Sequence, residues 1–170
     1  MKFRFPIVII DEDFRSENSS GLGIRAMAEA IENEGFDVLG VTSYGDLSQF
    51  AQQQSRASAF VLSIDDEEFS PGPDDDPVIE DLRSFIREVR RKNEDVPIYV
   101  YGETKTSRHL PNDILRELHG FIHMFEDTPE FVARHIIREA KSYLESIQPP
   151  FFKALLDYAE DGSYSWHCPG

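Results

Sequence analysis

Short apolar runs alternate with longer stretches of helical spacing along most of this sequence. The runs lie at residues 6–10, 37–41, 59–64, 97–101 and 120–125, and each is rich in Val, Ile, Phe or Tyr. Charged residues, Gly or Pro bound each run, which is typical of strands that are covered on both faces of a sheet. The pattern therefore predicts five short, buried strands.

The segments between the runs have the apolar spacing of helices. The first helix is expected to end at Gly35, a natural residue to follow a helix, and a weaker one is expected at residues 46–56. The first helix is expected to face inward with Leu22, Ala26, Met27, Ala30 and Ile31. The weaker helix is expected to face inward with Leu47, Phe50 and Ala51. A third helix should bury Val78, Leu82, Phe85, Ile86 and Val89.

Two more helices are predicted in the second half of the chain. One is a short turn at residues 112–118. The other is long and starts at Thr128 and Pro129, a good N-cap followed by Pro at the first helical position. Its apolar face consists of Val132, Ile136, Ala140, Tyr143, Leu144 and Ile147.

Five alternations of strand and helix predict a parallel sheet with helices on both faces. The usual order for five such strands is 2-1-3-4-5, as in flavodoxin and in response-regulator receivers. We therefore expect a three-layer α/β, receiver-like domain over residues 1–148. Pro149 and Pro150 should end its last helix, and residues 149–170 should form a helical linker to something else. Residues 69–77, with three Pro and a run of Asp, should be the least ordered segment.

Amino-acid composition limits the kinds of binding partner and the cellular compartment that we expect for this protein. The 170 residues are 40% hydrophobic and carry a formal charge of −15, which suits a globular domain and disfavours nucleic acid or an anionic membrane surface. Cys168 is the one cysteine, so no disulfide can form within the chain, and no run is long enough for a signal peptide or membrane span. We expect a cytoplasmic protein.

Acidic residues follow the first and third predicted strands, at Asp11, Asp13 and Asp65. In this fold the carboxyl ends of those strands border the crevice where ligands bind, so the three carboxylates should converge there. Oxygen ligands at such a place could hold a magnesium ion, and receivers use the layout to accept a phosphoryl group. The alternative to a ligand site is a set of solvated acidic side chains, several of which cap helices.

Other features argue against phosphoryl transfer, metal binding and nucleotide binding. A receiver has a lysine after its fifth strand, but this sequence reads His123, Met124 and Phe125 there, so we expect no working phospho-acceptor. His119 and His123 are separated by a helix end, so they do not form a helical metal pair. Gly21 and Gly23 lack the third glycine of a dinucleotide loop. We expect no metal site.

The C-terminal third of the sequence is more distinctive. Residues 125–134 read FEDTPEFVAR, residues 149–155 read PPFFKAL, and residues 164–170 read YSWHCPG. Together these segments resemble the bacterial ornithine/lysine/arginine decarboxylases, in which a receiver-like wing domain and a linker precede a fold-type I catalytic domain. The resemblance identifies Trp166, His167, Pro169 and Gly170 as the entry to that catalytic core.

The resemblance implies that the parent enzyme removes the α-carboxylate of a basic amino acid. Pyridoxal phosphate serves there as the electron sink and is held by a lysine. No lysine of this chain has that context, so we expect no catalytic or cofactor-binding residue here and no activity of this chain alone. The implied partners are its own catalytic core and other subunits of a homo-oligomer, with a role in assembly or regulation.

A second hypothesis is a stand-alone pseudo-receiver, a signalling module that binds a protein partner. The reading frame beyond Gly170 distinguishes the two hypotheses. Several hundred further residues would favour the decarboxylase, and an early stop codon would favour the signalling module. The sequence does not indicate which basic amino acid is the substrate.

Overall fold

The computed structural model describes residues 5–47, 49, 56–64, 77–103 and 109–147. The strands are β1 (Ile7–Ile10), β2 (Val38–Val41), β3 (Ala59–Ser63), β4 (Ile98–Gly102) and β5 (Gly120–His123). The helices are α1 (Ser19–Asn33), α2 (Tyr44–Leu47), α3 (Pro77–Lys92), α4 (Asn112–Leu115) and α5 (Pro129–Ile147). The predictions for residues 69–76 and 149–170 lie outside the described residues, as do those for Phe50 and Ala51.

The five strands form one parallel sheet in the order β2-β1-β3-β4-β5, which confirms the predicted order. Strand β1 lies between β2 and β3, where Ile7 pairs with Val38 on one side and with Ala59 on the other. Every residue of β1 and β4 is buried, because helices cover both faces of the sheet. This burial explains why both strands read as unbroken apolar runs.

The helices form two layers. Because strand–helix–strand crossovers are right-handed, the reversal of direction between β2 and β3 places α1 and α5 on one face and α2, α3 and α4 on the other. Helix α1 packs directly against α5. In the second layer, the ring of Tyr44 on α2 stacks on Phe85 of α3, with ring centroids 4.7 Å apart. Phe85 in turn meets Phe60 of β3 edge to face, which joins this layer to the sheet.

The predicted inward face of α1 is partly wrong. Met27 and Ile31 are buried as expected, but Leu22 is 55% exposed and Ala26 is also exposed. Ile24, Gly21 and Ala28 take the inner positions instead. Helix α1 contacts both β2 and α5, so its buried face differs from the single stripe of larger residues, Leu22 among them, that the sequence pattern favoured.

Three further details differ from the prediction. Helix α3 buries Ile79 more deeply than the half-buried Val78. Helix α5 buries its predicted face except for Ile147, which is 47% exposed in the last turn. Strand β5 ends at His123 rather than at residue 125, because the chain turns at Met124 and Phe125 takes a left-handed φ of 65°.

Gly35 follows α1 with a φ of 97°, as the sequence predicts for the residue that ends this helix. Its amide donates to the carbonyl of Glu32 and so satisfies one of the last carbonyls of the helix. Within the described part of the chain, no helix is both long enough and apolar enough to cross a membrane.

Candidate functional site

A cavity of about 460 Å³ lies at the carboxyl edge of the sheet, around the ends of β1 and β3 where the strand order reverses. Its described lining contains five carboxylates, which are Asp11, Glu12, Asp13, Asp81 and Glu103. Hydroxyl groups of Ser19, Ser20, Thr42, Ser43, Tyr44 and Ser63 add polar surface, and Met124 and Phe125 form an apolar rim. A pocket therefore lies at the position of the predicted crevice.

A chain of hydrogen bonds fixes the acids that follow β1. Asp11 is 4% exposed, and its Oδ1 accepts a bond of 2.7 Å from the amide of Asp13. Asp13 Oδ1 accepts from the side-chain amide of Asn18 at 3.1 Å, and Asn18 Oδ1 accepts from the amide of Gly21 at 2.8 Å. Asn18 is thus the N-cap of α1. Asp11 and Asp13 therefore have a structural role in the β1–α1 loop, while Glu12 between them is exposed.

Arg25 supports the same loop from the helix. One of its guanidinium nitrogens donates to the carbonyls of Phe14 and Ser16, at 2.8 and 2.7 Å. On the next loop, the hydroxyl of Thr42 donates to Asp46, while Ser43 Oγ accepts from the Asp46 amide at the start of α2. Both loops at the mouth of the cavity are therefore held by local polar contacts.

Tyr44, which lines the cavity, and Tyr101, a buried residue of β4, are both held in their neutral form. Burial, and then the negative charge of Asp11, raise the pKa of Tyr101 to about 12. Burial and the charge of Asp81 raise the pKa of Tyr44 as well. Both hydroxyls therefore remain protonated at physiological pH, and neither is a candidate base or nucleophile.

The described lining of the cavity contains no lysine, arginine or histidine. At the end of β5, where a receiver places its lysine, the chain presents the side chains of Met124 and Phe125. A phosphoryl group transferred here would face five carboxylates without a neutralising cation from these residues. The described lining therefore disfavours phosphoryl transfer.

The structure brings Asp11 and Asp13 to the cavity, while Asp65 lies outside the described residues. Trp166, His167, Pro169 and Gly170 also lie outside them, so the core-entry motif stays a prediction. Sequence reasoning missed Asp81 and Glu103. Glu103 directly follows β4, and the rule that ligands bind beyond the carboxyl ends of strands could have indicated it. Asp81 comes from the second turn of α3, and no sequence signal placed it there.

Histidines do not gather into a ligand set. His119 and His135 both lie near Tyr99, with ring centroids 6.3 and 5.6 Å from its ring. His119 Nδ1 accepts from the amide of Ile98, so that nitrogen is occupied by the backbone. Among the described residues there is no group of three or more His, Cys, Asp or Glu side chains arranged to hold a metal ion.

The known proteins whose sequences resemble this chain include decarboxylases. It is 29% identical over 170 residues to the lysine decarboxylase LdcA of Pseudomonas aeruginosa, an alignment of 98% of this chain and 22% of that protein. It is 24% identical over 166 residues to the biodegradative arginine decarboxylase of Escherichia coli, which covers 96% of this chain and 21% of that one. The chain thus spans about a fifth of the length of these relatives.

Solved structures agree with the sequence relatives. Lysine decarboxylase A from P. aeruginosa superposes with a TM-score of 0.73 at 28% identity, over 99% of this chain and 22% of that chain. A response-regulator receiver domain from Clostridium thermocellum superposes with a TM-score of 0.55 at 12% identity, over 81% of this chain and 94% of that one. The latter likeness concerns the fold alone.

The family model for the N-terminal domain of Orn/Lys/Arg decarboxylases matches residues 19–143. That match begins at α1 and ends inside α5, so it includes all the sheet except β1. It covers well over half of the chain, and the predicted resemblance is confirmed. This chain belongs to the family of N-terminal domains of ornithine/lysine/arginine decarboxylases.

Proposed function

We propose that this chain is the non-catalytic N-terminal domain of a pyridoxal-phosphate-dependent decarboxylase that acts on lysine, arginine or ornithine. The observation that carries the proposal is the alignment of nearly the whole chain with about a fifth of much longer decarboxylases. The domain's role in the parent is assembly or regulation of the oligomer. The parent is expected in the cytoplasm, in keeping with the charge and single cysteine of this chain.

The cavity does not fit the cofactor. Pyridoxal phosphate needs a lysine for its aldehyde and positive groups or backbone amides for its phosphate. The described lining offers five carboxylates and no lysine, and its negative charge would repel the phosphate. The cofactor therefore belongs to the part of the parent beyond this domain, and no step of decarboxylation is assigned to residues described here.

This domain has the fold of a receiver, but we expect that it does not accept a phosphoryl group as receivers do. Met124 and Phe125 occupy the place of the phosphoryl-neutralising lysine. We expect acetyl phosphate with magnesium to leave Asp65 unmodified, as measured by intact-protein mass. A stable gain of one phosphoryl group would contradict this and would favour the pseudo-receiver hypothesis.

The test of the decarboxylase proposal uses three proteins: the full-length product of the same gene, that product without residues 1–148, and the 170-residue chain. Each is incubated with pyridoxal phosphate and with lysine, arginine or ornithine, and released carbon dioxide is measured. The full-length protein should turn over one of these substrates, and the 170-residue chain should release no more carbon dioxide than a blank.

The protein without residues 1–148 separates catalysis from assembly. It should retain the absorbance of bound cofactor but sediment as a smaller assembly than the full-length protein. A full-length protein without activity on any basic amino acid would overturn the proposal. Turnover by the 170-residue chain would show that catalytic residues lie within residues 1–170, which contradicts the proposal.

A further inference from the structure

Two histidines pack against the same buried tyrosine where β4 meets α5. Tyr99 of β4 is 1% exposed, and its hydroxyl has no hydrogen-bond partner among the described residues. The ring of His135, half-buried on α5, meets the Tyr99 ring edge to face at 5.6 Å. His119, exposed just before β5, lies 6.3 Å from the same ring. Two titratable imidazoles therefore contribute to the contact between the sheet and the middle of α5.

Both imidazoles accept a hydrogen bond through Nδ1 from a group that can only donate. His119 Nδ1 accepts from the amide of Ile98 at 3.4 Å. His135 Nδ1 lies 3.1 Å from a guanidinium nitrogen of Arg138, and because a guanidinium has no acceptor, the imidazole accepts here. Each bond needs an unprotonated Nδ1, so the observed arrangement belongs to the neutral form of both rings. A proton on either Nδ1 would place a donor against a donor.

The charged groups around the two rings determine how they respond to acid. Partial burial and then the charge of Arg90 on α3 lower the pKa of His119, and His135 lowers it further. Glu139 on α5 and Asp95, in the segment before β4, act in the opposite direction. Glu139 follows His135 by four residues and therefore lies on the same side of α5. A protonated imidazole would be drawn towards Glu139 and away from its present donor.

We propose that His119 and His135 form one proton-accepting pair, whose neutral form holds the middle of α5 against β4 and whose protonated form loosens that contact. The first proton breaks one of the two hydrogen bonds and is stabilised by Glu139. A second proton would be opposed by the first, because like charges lie near each other around one buried ring, so the two protons bind in separate steps. In mild acid α5 is then held less tightly while the sheet stays intact.

This inference goes beyond the proposed function, because it concerns the domain itself and does not depend on the substrate of the parent. Helix α5 leads directly into the predicted linker, so a change in how firmly the helix is held reaches the segment that follows it. A general loss of stability in acid would weaken every helix alike. Helix α3, on the other face of the sheet, therefore serves as the internal comparison.

The first test is an NMR titration of His119 in the full 170-residue chain. His135→Gln removes the competing positive charge, so it should raise the pKa of His119, whereas Glu139→Gln should lower that pKa further. Two exposed residues outside the pair provide matched controls, and Glu145→Gln and His109→Gln should leave the titration unchanged. If His135→Gln has no more effect on His119 than His109→Gln has, the two rings are not coupled and the proposal is wrong.

Hydrogen exchange of backbone amides tests whether α5 loosens. Each rate is divided by the intrinsic rate of an unprotected amide at the same pH, which gives a protection factor. Between pH 7 and about pH 5.5, protection in α5 should fall several-fold more than protection in α3. The double variant H119Q/H135Q should lose this difference, since glutamine keeps an acceptor but does not titrate in this range.

The same pH dependence of α5 in the original chain and in the double variant would overturn the proposal. So would an equal loss of protection in α3 and α5 of the original chain. Circular dichroism shows whether the double variant is folded. If it is not, His119→Gln and His135→Gln are measured singly, and each should reduce the difference between the two helices.

Discussion

Gly21 in the first turn of α1 lies directly against the loop that precedes the helix. A Cβ at this position would lie 2.1 Å from the carbonyl oxygen of Ser16 and 2.5 Å from that of Asp13. Both atoms belong to the backbone, and the same loop is held by Asn18 and Arg25. The loop therefore cannot move aside without losing its hydrogen bonds.

We expect Gly21→Ala to lower the free energy of unfolding by about 1–3 kcal/mol, the usual cost of forcing extra volume into a packed site. Chemical denaturation with urea measures the change. Gly45→Ala in α2 is the matched control, because the nearest atom to its new Cβ would be Ser43 Oγ at 3.8 Å. That variant should stay within about 1 kcal/mol of the original chain. Equal destabilisation by both would contradict the argument.

His119 makes the domain sensitive to mild acid. Burial, and then the positive charge of Arg90, lower the pKa of this imidazole below its usual 6.5, against the opposing charges of Glu139 and Asp95. His135 also lowers it. The unfolded chain therefore binds a proton at a higher pH than the folded one, and stability present above pH 6.5 is lost as the pH falls towards the folded pKa.

We expect the fall in unfolding free energy between neutral pH and about pH 5.5 to be smaller in His119→Gln than in the original chain. Glutamine keeps an acceptor for the amide of Ile98 but does not titrate in this range. Urea denaturation at the two pH values gives the difference. An NMR titration of His119 with a midpoint above 6.5 would show that the sign is wrong.

At the scale of elements, one arginine joins α3 to the segment between α4 and β5. Arg90 donates to Glu117 Oε2 and to the Glu117 carbonyl, each at 2.8 Å, and to the carbonyls of Asn93 and Val96. Its side chain is only 14% exposed. Four acceptors would lose their partner together if this guanidinium were removed.

We expect Arg90→Ala to lower the free energy of unfolding by about 2–3 kcal/mol, because partly buried acceptors are left unsatisfied. Arg90→Lys should recover little, since an ammonium group cannot reach acceptors arranged around a planar fork. Lys92→Ala is the control: its exposed pair with Glu88 should contribute less than about 0.5 kcal/mol. Recovery of full stability by lysine would mean that charge alone accounts for the effect.

The sheet could be predicted from sequence because strands buried on both faces have a simple signature. Each run of Val, Ile, Phe and Tyr marks a strand, and the alternation with helices leaves one usual strand order. The inner face of α1 was harder to predict, because Ile24 and Gly21 are buried in a helix that faces both the sheet and α5, and period alone does not distinguish them from Leu22. The end of β5 was also misjudged, since no turn residue marks the left-handed Phe125.

The candidate site was predictable in part for a related reason. Acids that directly follow a strand lie at a known edge, so Asp11 and Asp13 could be placed from the sequence. Asp81 reaches the same cavity from α3, and its position depends on how that helix packs, which no local pattern encodes. The hydrogen bonds that occupy Asp11 and Asp13 likewise depend on the loop and not on spacing.

At the scale of the whole molecule, the boundary at residue 148 is still a prediction. The tail beyond it holds Phe151, Phe152, Leu155, Tyr164 and Trp166, which is more apolar surface than a solvated terminus normally carries. In the parent we expect these side chains to be buried in the catalytic core or against the linker of the partner subunit. In this chain we expect them to pack poorly against the receiver-like domain.

We expect the chain that ends at Gln148 to melt at nearly the same temperature as the 170-residue chain, because the tail adds nothing to the core. The indole of Trp166 should fluoresce at long wavelength, as an exposed group does, and should be quenched readily by iodide. A melting temperature several degrees lower in the shorter chain, together with a protected indole, would place the tail inside this domain and move the boundary.

The interior position of β1 in the sheet has a consequence for how the domain forms during synthesis. This strand emerges from the ribosome before the others, yet its neighbour β3 comes some fifty residues later, as the paired residues Ile7 and Ala59 show. The last helix of the domain, α5, packs against α1, the first. Neither the first nor the second half of the sequence can therefore form the core by itself. The apolar side chains of β1 stay exposed until nearly all of the domain has been synthesised. During synthesis, the high negative charge of this chain would keep unfinished chains apart while later residues are added.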